Sequence, residues 1–156
     1  MAREVHDYLQ RAKRFSGTTI NAGIQTDVAT LDENDLPLAE LARIAWINEL
    51  GLGRVPSRPA FRHSAEVAGD RWLARFRYAA KLYAAGDLEG SERALRQVGA
   101  QMVGGVQESI LEGPWVANAQ STIDAKGSDK PLVDHGQTRQ SIRAELRTSR
   151  GTETIA

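Results

Sequence analysis

The sequence predicts an α+β fold, a small antiparallel sheet packed with an N-terminal helix and two long helices. Three observations carry this. Apolar residues recur every three or four positions from Ala60 to Ala85 (Trp72, Phe76, Ala80, Tyr83) and again from about Ser91 to Glu112 (Leu95, Val98, Met102, Val106, Ile110), the spacing of one helical face. "SIRAELRTS" alternates strictly, with Ile142, Ala144 and Leu146 on one side and Arg143, Glu145 and Arg147 on the other, as a half-buried strand does. "TTINAGI" sets Ile20, Ala22 and Ile24 on one side of the same two-residue period, with β-branched support.

The elements follow in order. From Arg3 to Phe15, Val5, Tyr8, Leu9, Ala12 and Phe15 have helical spacing, and Gly17 is the stop. After the Ile20–Ile24 strand, "DENDLP" is a loop. Asp35 is its candidate cap, and Pro37 opens a helix carrying Leu38, Leu41, Ala42 and Ala45. Gly51 and Gly53 end that helix. "RVPSRPAFR" is extended and stiff, because Pro56 and Pro59 fix their own φ and restrict the residues before them. "AAGDLEG" separates the two long helices. Gly99, Gly104 and Gly105 sit inside the second, where close backbone packing would account for them. Gly113 and Pro114 end it, and one helical turn is expected near Ser121. In "KGSDKPLVDHGQTRQSI", Gly127, Ser128, Asp129 and Pro131 make a turn, Leu132 and Val133 anchor it, and Asp134 caps a short helical turn beginning near Gly136. The tail from about 149 is a short strand or a frayed end.

The 156 residues fit one domain, residues 1–156, with a flexible tail. The 41% hydrophobic content suits a folded chain, and no apolar run approaches the ~20 residues of a membrane span. The first fifteen residues lack the apolar core of a secretory signal. There is no cysteine, so disulfides and thiolate metal sites are excluded, and a cytosolic origin fits. Twenty basic and twenty acidic residues cancel, which argues against a dedicated nucleic-acid binder. The charges are blocked, however. Asp32, Glu33, Asp35, Glu40 and Glu49 face only Arg43, and then Arg54, Arg58, Arg62, Arg71, Arg75, Arg77 and Lys81 face only Glu66 and Asp70. Such blocks are solvated faces or complementary surfaces on neighbouring copies.

No catalytic, cofactor or metal constellation stands out. His6, His63 and His135 lie on three different elements without zinc-site spacing. Ser128, Asp134 and His135 lack a nucleophile elbow. Asp124, Asp129 and Asp134 lack the Gly and Glu of a calcium loop. "KGSDKP" lacks the first Gly and the feeding strand of a phosphate-binding loop.

Two stretches carry a family resemblance. "IAWINELGLGRVPSRPAFR" resembles the "WNEFG…IPARPFLR" segment of the neck and tail-completion proteins of tailed bacteriophages. "VGAQMVGGVQESILEG" followed by "NAQSTIDAKGSDKPLVDHGQTRQSI" resembles their helix and "N…ST…KGS..PL.DTG.LR.SI" pattern. Asn48, Glu49, Gly51, Pro56, Arg58, Pro59 and Arg62 match the first. Asn118, Ser121, Thr122, Lys126, Gly127, Ser128, Pro131, Leu132, Asp134, Gly136, Arg139, Ser141 and Ile142 match the second. His135 stands where Thr is usual and Thr138 where Leu is usual.

The resemblance implies a structural virion protein and not an enzyme. It would be made in the host cytoplasm and placed at the head-tail junction, in a homo-oligomeric ring, six- or twelve-fold, around the DNA channel. Its neighbours would be neck, portal or tail proteins, with no membrane and no cofactor. The expected subunit or partner contacts are Asn48, Glu49, Arg54, Arg58, Arg62, Lys126, Asp129, Lys130 and Arg139. Arg75, Arg77, Arg143 and Arg147 are candidates for lining the channel, touching DNA without reading its sequence. The alternatives are a tail terminator at the top of the tail tube, a nucleic-acid-binding module using Arg54 to Lys81, and a small enzyme using Asp134 and His135.

Overall fold

The computed structural model describes residues 2–26, 37–127, 129–132 and 136–155. The order is α1 (Ala2–Phe15), β1 (Thr19–Ile24), α2 (Leu38–Leu50), α3 (Ala60–Ala85), α4 (Leu88–Glu112), α5 (Gln120–Lys126), α6 (Gln137–Gln140), β2 (Ile142–Thr148) and β3 (Gly151–Ile155). The strands form one antiparallel sheet in the order β1-β2-β3. In the β2–β3 hairpin Ala144 lies opposite Ile155 and Thr148 opposite Gly151. This is the α+β fold that the periodicities predict. No helix among the described residues is long and apolar enough to cross a membrane.

The chain divides into two compact units. Unit 1 is Met1–Ala22, Ala68–Val103 and Ala144–Ala156; unit 2 is Gly23–Val67 and Gly104–Arg143. Both long helices contribute residues to each.

Unit 1 is built on a core of Phe15, Ala79, Ala94, Leu95 and Leu146, flanked by Ile20, Phe76, Tyr83 and Ile155. Phe15 meets Phe76 edge-on at 5.5 Å and Tyr83 at 5.3 Å between ring centres, so one aromatic pins the end of α1. Arg11 Nε donates to the Ala84 carbonyl at 2.9 Å beside it. The rest of the α1 stripe departs from expectation. Val5, Tyr8 and Leu9 are 55%, 51% and 58% exposed, so the spacing that predicts a core face here belongs to an uncovered one.

Gly99 lets α4 settle onto the sheet. A Cβ there would stand 2.6 Å from Ile155 Cδ1 and 3.2 Å from Ala144 Cβ, while one at Gly104 would meet nothing within 4 Å. The close-packing explanation therefore holds for Gly99 and not for Gly104. The tail is an ordered strand. Arg96 forks onto Glu153 at 2.9 and 3.1 Å, and Arg150 pairs with Glu92, which ties β3 and its hairpin to α4. Glu153 raises the Arg96 pKa through that bond.

Helix α4 begins at Leu88, ahead of the expected Ser91, because Asp87 Oδ1 accepts the Gly90 N–H at 2.8 Å and caps it. The single turn expected near Ser121 is the seven-residue α5, closed by Gly127 at φ 67°. Helix α6 follows Gly136 at φ 75° with no side-chain cap. The caps expected from Asp35 and Asp134, and the anchor expected from Val133, lie outside the described residues, as do Ser128 and His135.

Candidate functional site

All twenty residues that carry the family pattern fall in unit 2. The two matching stretches meet around one arginine. Helix α2 stops at Gly51, whose φ of 70° suits glycine, and a Cβ there would stand 2.7 Å from Ser57 N. The stiff segment can therefore fold back onto α2. Arg58 N–H donates to the Asn48 carbonyl at 2.7 Å, and Ser57 Oγ donates to the Glu49 carbonyl at 3.1 Å.

The Arg58 side chain is 6% exposed. Its Nε donates to the Val116 carbonyl at 2.9 Å, and Nη2 donates to the Ala117 carbonyl at 3.2 Å and Asn118 Oδ1 at 3.1 Å. Nη1 reaches Asn48 Oδ1 at 3.5 Å. All these acceptors are neutral. Burial pushes the guanidinium pKa down from its ordinary value, so desolvation works against the fold while the fork of hydrogen bonds offsets it.

Asn118 passes the tie onward. Its Nδ2 donates to the carbonyls of Asp129 and Lys130, both at 3.2 Å, and so holds the Gly-Pro-rich turn. Asn48 Nδ2 donates to the Ile44 carbonyl at 2.9 Å. Glu49 caps α3 from a distance, with Oε2 accepting the Phe61 N–H at 3.1 Å and Oε1 the Arg62 N–H at 3.0 Å.

These contacts correct the partner assignments. Arg58 is enclosed and fully engaged within its own unit, so it is not a partner contact. The side chains of Asn48 and Glu49 are likewise committed internally. Arg54, Arg62, Asp129 and Lys130 are exposed, although Asp129 and Lys130 also serve the turn through their carbonyls. Arg139 is half-buried, and its carbonyl accepts from Gln107 Nε2 at 3.1 Å. The Lys126 side chain lies outside the described residues. The charge blocks also change meaning, since Glu40 is held by Arg43 at 2.6 Å and Glu49 by backbone N–H groups.

The candidates for channel lining are exposed but do not form one set. Arg75, Arg77 and Arg147 belong to unit 1 and Arg143 to unit 2. Arg75 and Arg77, two apart on α3, point to different sides of the helix. Arg75 is bonded to Gln97. Arg147 is bonded to Glu145 at 3.0 Å, and Arg143 donates to the carbonyls of Gln140 and Ile142. The Arg54–Lys81 block is divided between the units in the same way.

The network borders an open hollow of about 340 Å³. Ile44, Val55, Phe61, Ile110 and Leu132 give it apolar walls, and Glu49, Arg54, Asn118, Thr122 and Thr138 add polar ones. Leu132 holds φ 61°, a strained value for a bulky side chain. Helix α6 packs on α2 beside it. Thr138, standing where the family has Leu, removes apolar bulk from the lining.

One hydroxyl–imidazole pair escaped the sequence reading. His63 Nδ1 lies 3.1 Å from Ser109 Oγ, the His63 ring meets Trp115 edge-on at 5.4 Å, and Trp115 Nε1 donates to the Ser109 carbonyl at 2.9 Å. Ser109 is buried and away from the hollow lining, so the pair packs α3 on α4 and offers no substrate an approach. The only advance signal was its apolar surroundings. Among the described residues no three His, Asp or Glu gather as a metal would need. No family model, curated protein or solved structure matches this chain.

Proposed function

We propose that this chain is a structural protein of the head-tail junction of a tailed bacteriophage, assembled as a homo-oligomeric ring around the DNA channel between portal and tail. The observation that carries the reading is the coherence of the family pattern in three dimensions. Two stretches separated by sixty residues at Arg58 and Asn118 close into one hydrogen-bonded network, within one unit, around one hollow. Asn48, Glu49, Gly51, Arg58, Asn118, Gly127 and Gly136 each have an architectural task there: a tie, a helix cap or a left-handed turn. A pattern kept for architecture suits a protein whose work is to hold shape at a junction.

Tailed particles that carry the chain, purified and imaged by electron microscopy, test this. The expected density is a ring between portal and tail tube. A chain absent from tailed particles and from their assembly intermediates sinks the reading.

A further inference from the structure

Helix α1 presents Val5, Tyr8, Leu9 and Ala12 along one side, and all four are exposed. Its C-terminal end is fixed by buried Phe15 and by the Arg11 bond to Ala84, so this stripe is held out by an anchored helix. Positions spaced by three and four are the anchors a helix lays into an apolar groove. Unit 2 contains a hollow walled by Ile44, Val55, Phe61, Ile110 and Leu132. Its volume of about 340 Å³ is at the small end for a pocket that takes a ligand, and suits a few side chains. The hydroxyls of Thr122 and Thr138 on its wall match the one polar atom the stripe brings, the Tyr8 hydroxyl.

Charge selects the occupant. Unit 1 holds twelve Lys and Arg against eight Asp and Glu, and unit 2 holds eight against twelve. Asp27, Asp32, Glu33 and Asp35, which supply much of the acidic surplus, lie outside the described residues. Helix α1 itself carries Arg3, Arg11, Lys13 and Arg14 against Glu4 and Asp7. Unlike net charges on two units of the same chain attract copies head to tail. Such heterologous contacts close into rings when the rotation closes. A lipid surface fits less well, because only the first turns of α1 are free, two acids stand among them, and the helix end is committed to its own core.

We infer that α1 of one copy docks its Val5–Tyr8–Leu9 stripe into the unit 2 hollow of the next copy. This deepens the ring reading and rests on it.

The full-length chain has no cysteine, which makes the contact directly testable. Copies with Leu9→Cys, mixed with size-tagged copies carrying Thr122→Cys, form a disulfide-linked pair on oxidation. Leu9→Cys mixed with Val67→Cys, an exposed unit 2 position away from the hollow, does not. The double variant Val5→Ser/Leu9→Ser keeps its melting temperature, since both side chains are exposed, and self-associates at least about tenfold more weakly by sedimentation. Equal cross-linking at Val67 overturns the inference. So does a chain that multimerises as before in the double variant and forms no Leu9–Thr122 link, and in that case the ring reading still stands. A chain that stays monomeric at high concentration without cross-linking also overturns it, and the particle images then decide the ring reading separately. If the wild-type chain, but not the double variant, floats with phosphatidylglycerol vesicles and no link forms, the stripe is a membrane surface and the inference is wrong.

Discussion

Arg54, Arg58 and Arg62 look alike in sequence, three arginines at four-residue spacing in a proline-fixed segment. Their fates differ because only Arg58 meets acceptors at Val116, Ala117 and Asn118, some sixty residues later. Nothing local to the segment announces that. Arg58→Lys keeps the charge and loses the planar fork, leaving one ammonium to serve acceptors spread over three residues. The expected cost is about 2–4 kcal/mol, read as a lower urea midpoint with unchanged slope. Arg54→Glu/Arg62→Glu is expected to leave that midpoint nearly unchanged, because both side chains are exposed and the Arg62 bond to Glu49 uses its backbone N–H. If that pair does mark a partner contact, the folded variant fails to enter particles. The hollow supports a second residue-level expectation. Thr138→Leu restores the family's apolar side chain to an under-filled wall and stabilises the chain by about 1 kcal/mol in thermal melts.

At the scale of elements, periodicity was a good guide wherever a helix or strand is covered on one face. Leu95, Val98, Val106 and Ile110 of α4 are buried as their spacing requires, and so are Ile142, Ala144 and Leu146 of β2. It misled at α1, because the pattern records an apolar face and not what covers it. Caps were legible only in part. Asp87 was passed over as part of a break, although its carboxylate starts α4. Asp87→Ala is expected to cost about 0.5–2 kcal/mol in denaturant titrations, since the Gly90 N–H loses its acceptor. The glycines of α4 separate on the same physical ground. Gly104→Ala meets open space and is expected to stabilise by up to ~1 kcal/mol through helix propensity. Gly99→Leu must push Ile155 and Ala144 away from the helix and is expected to destabilise by about 1–3 kcal/mol. Equal melting temperatures for the two variants would show that α4 does not press on the sheet at Gly99.

At the scale of the molecule, a net charge of zero conceals a division that runs along the two units. The blocks visible in sequence, acidic before Arg54 and basic after it, were a partial view. Glu40 and Glu49 are neutralised inside unit 2, while the basic surplus of unit 1 is spread over α1, α3 and α4. Two driving forces for association then act together and respond to salt in opposite ways. Attraction between unlike units is screened, as the Debye length falls from about 30 Å at 0.01 M to about 8 Å at 0.15 M salt. Burial of the α1 stripe is not screened, and sulfate strengthens it. Sedimentation of the full-length chain across this range is therefore expected to show association weakening as sodium chloride rises, chiefly through slower encounter, without vanishing. Sodium sulfate at matched ionic strength is expected to restore part of it. In the Val5→Ser/Leu9→Ser variant the sulfate recovery is expected to disappear while the chloride dependence remains. A wild-type chain whose association ignores chloride would show that the opposed charges of the two units do not meet across copies, and the apolar stripe would have to hold the contact alone.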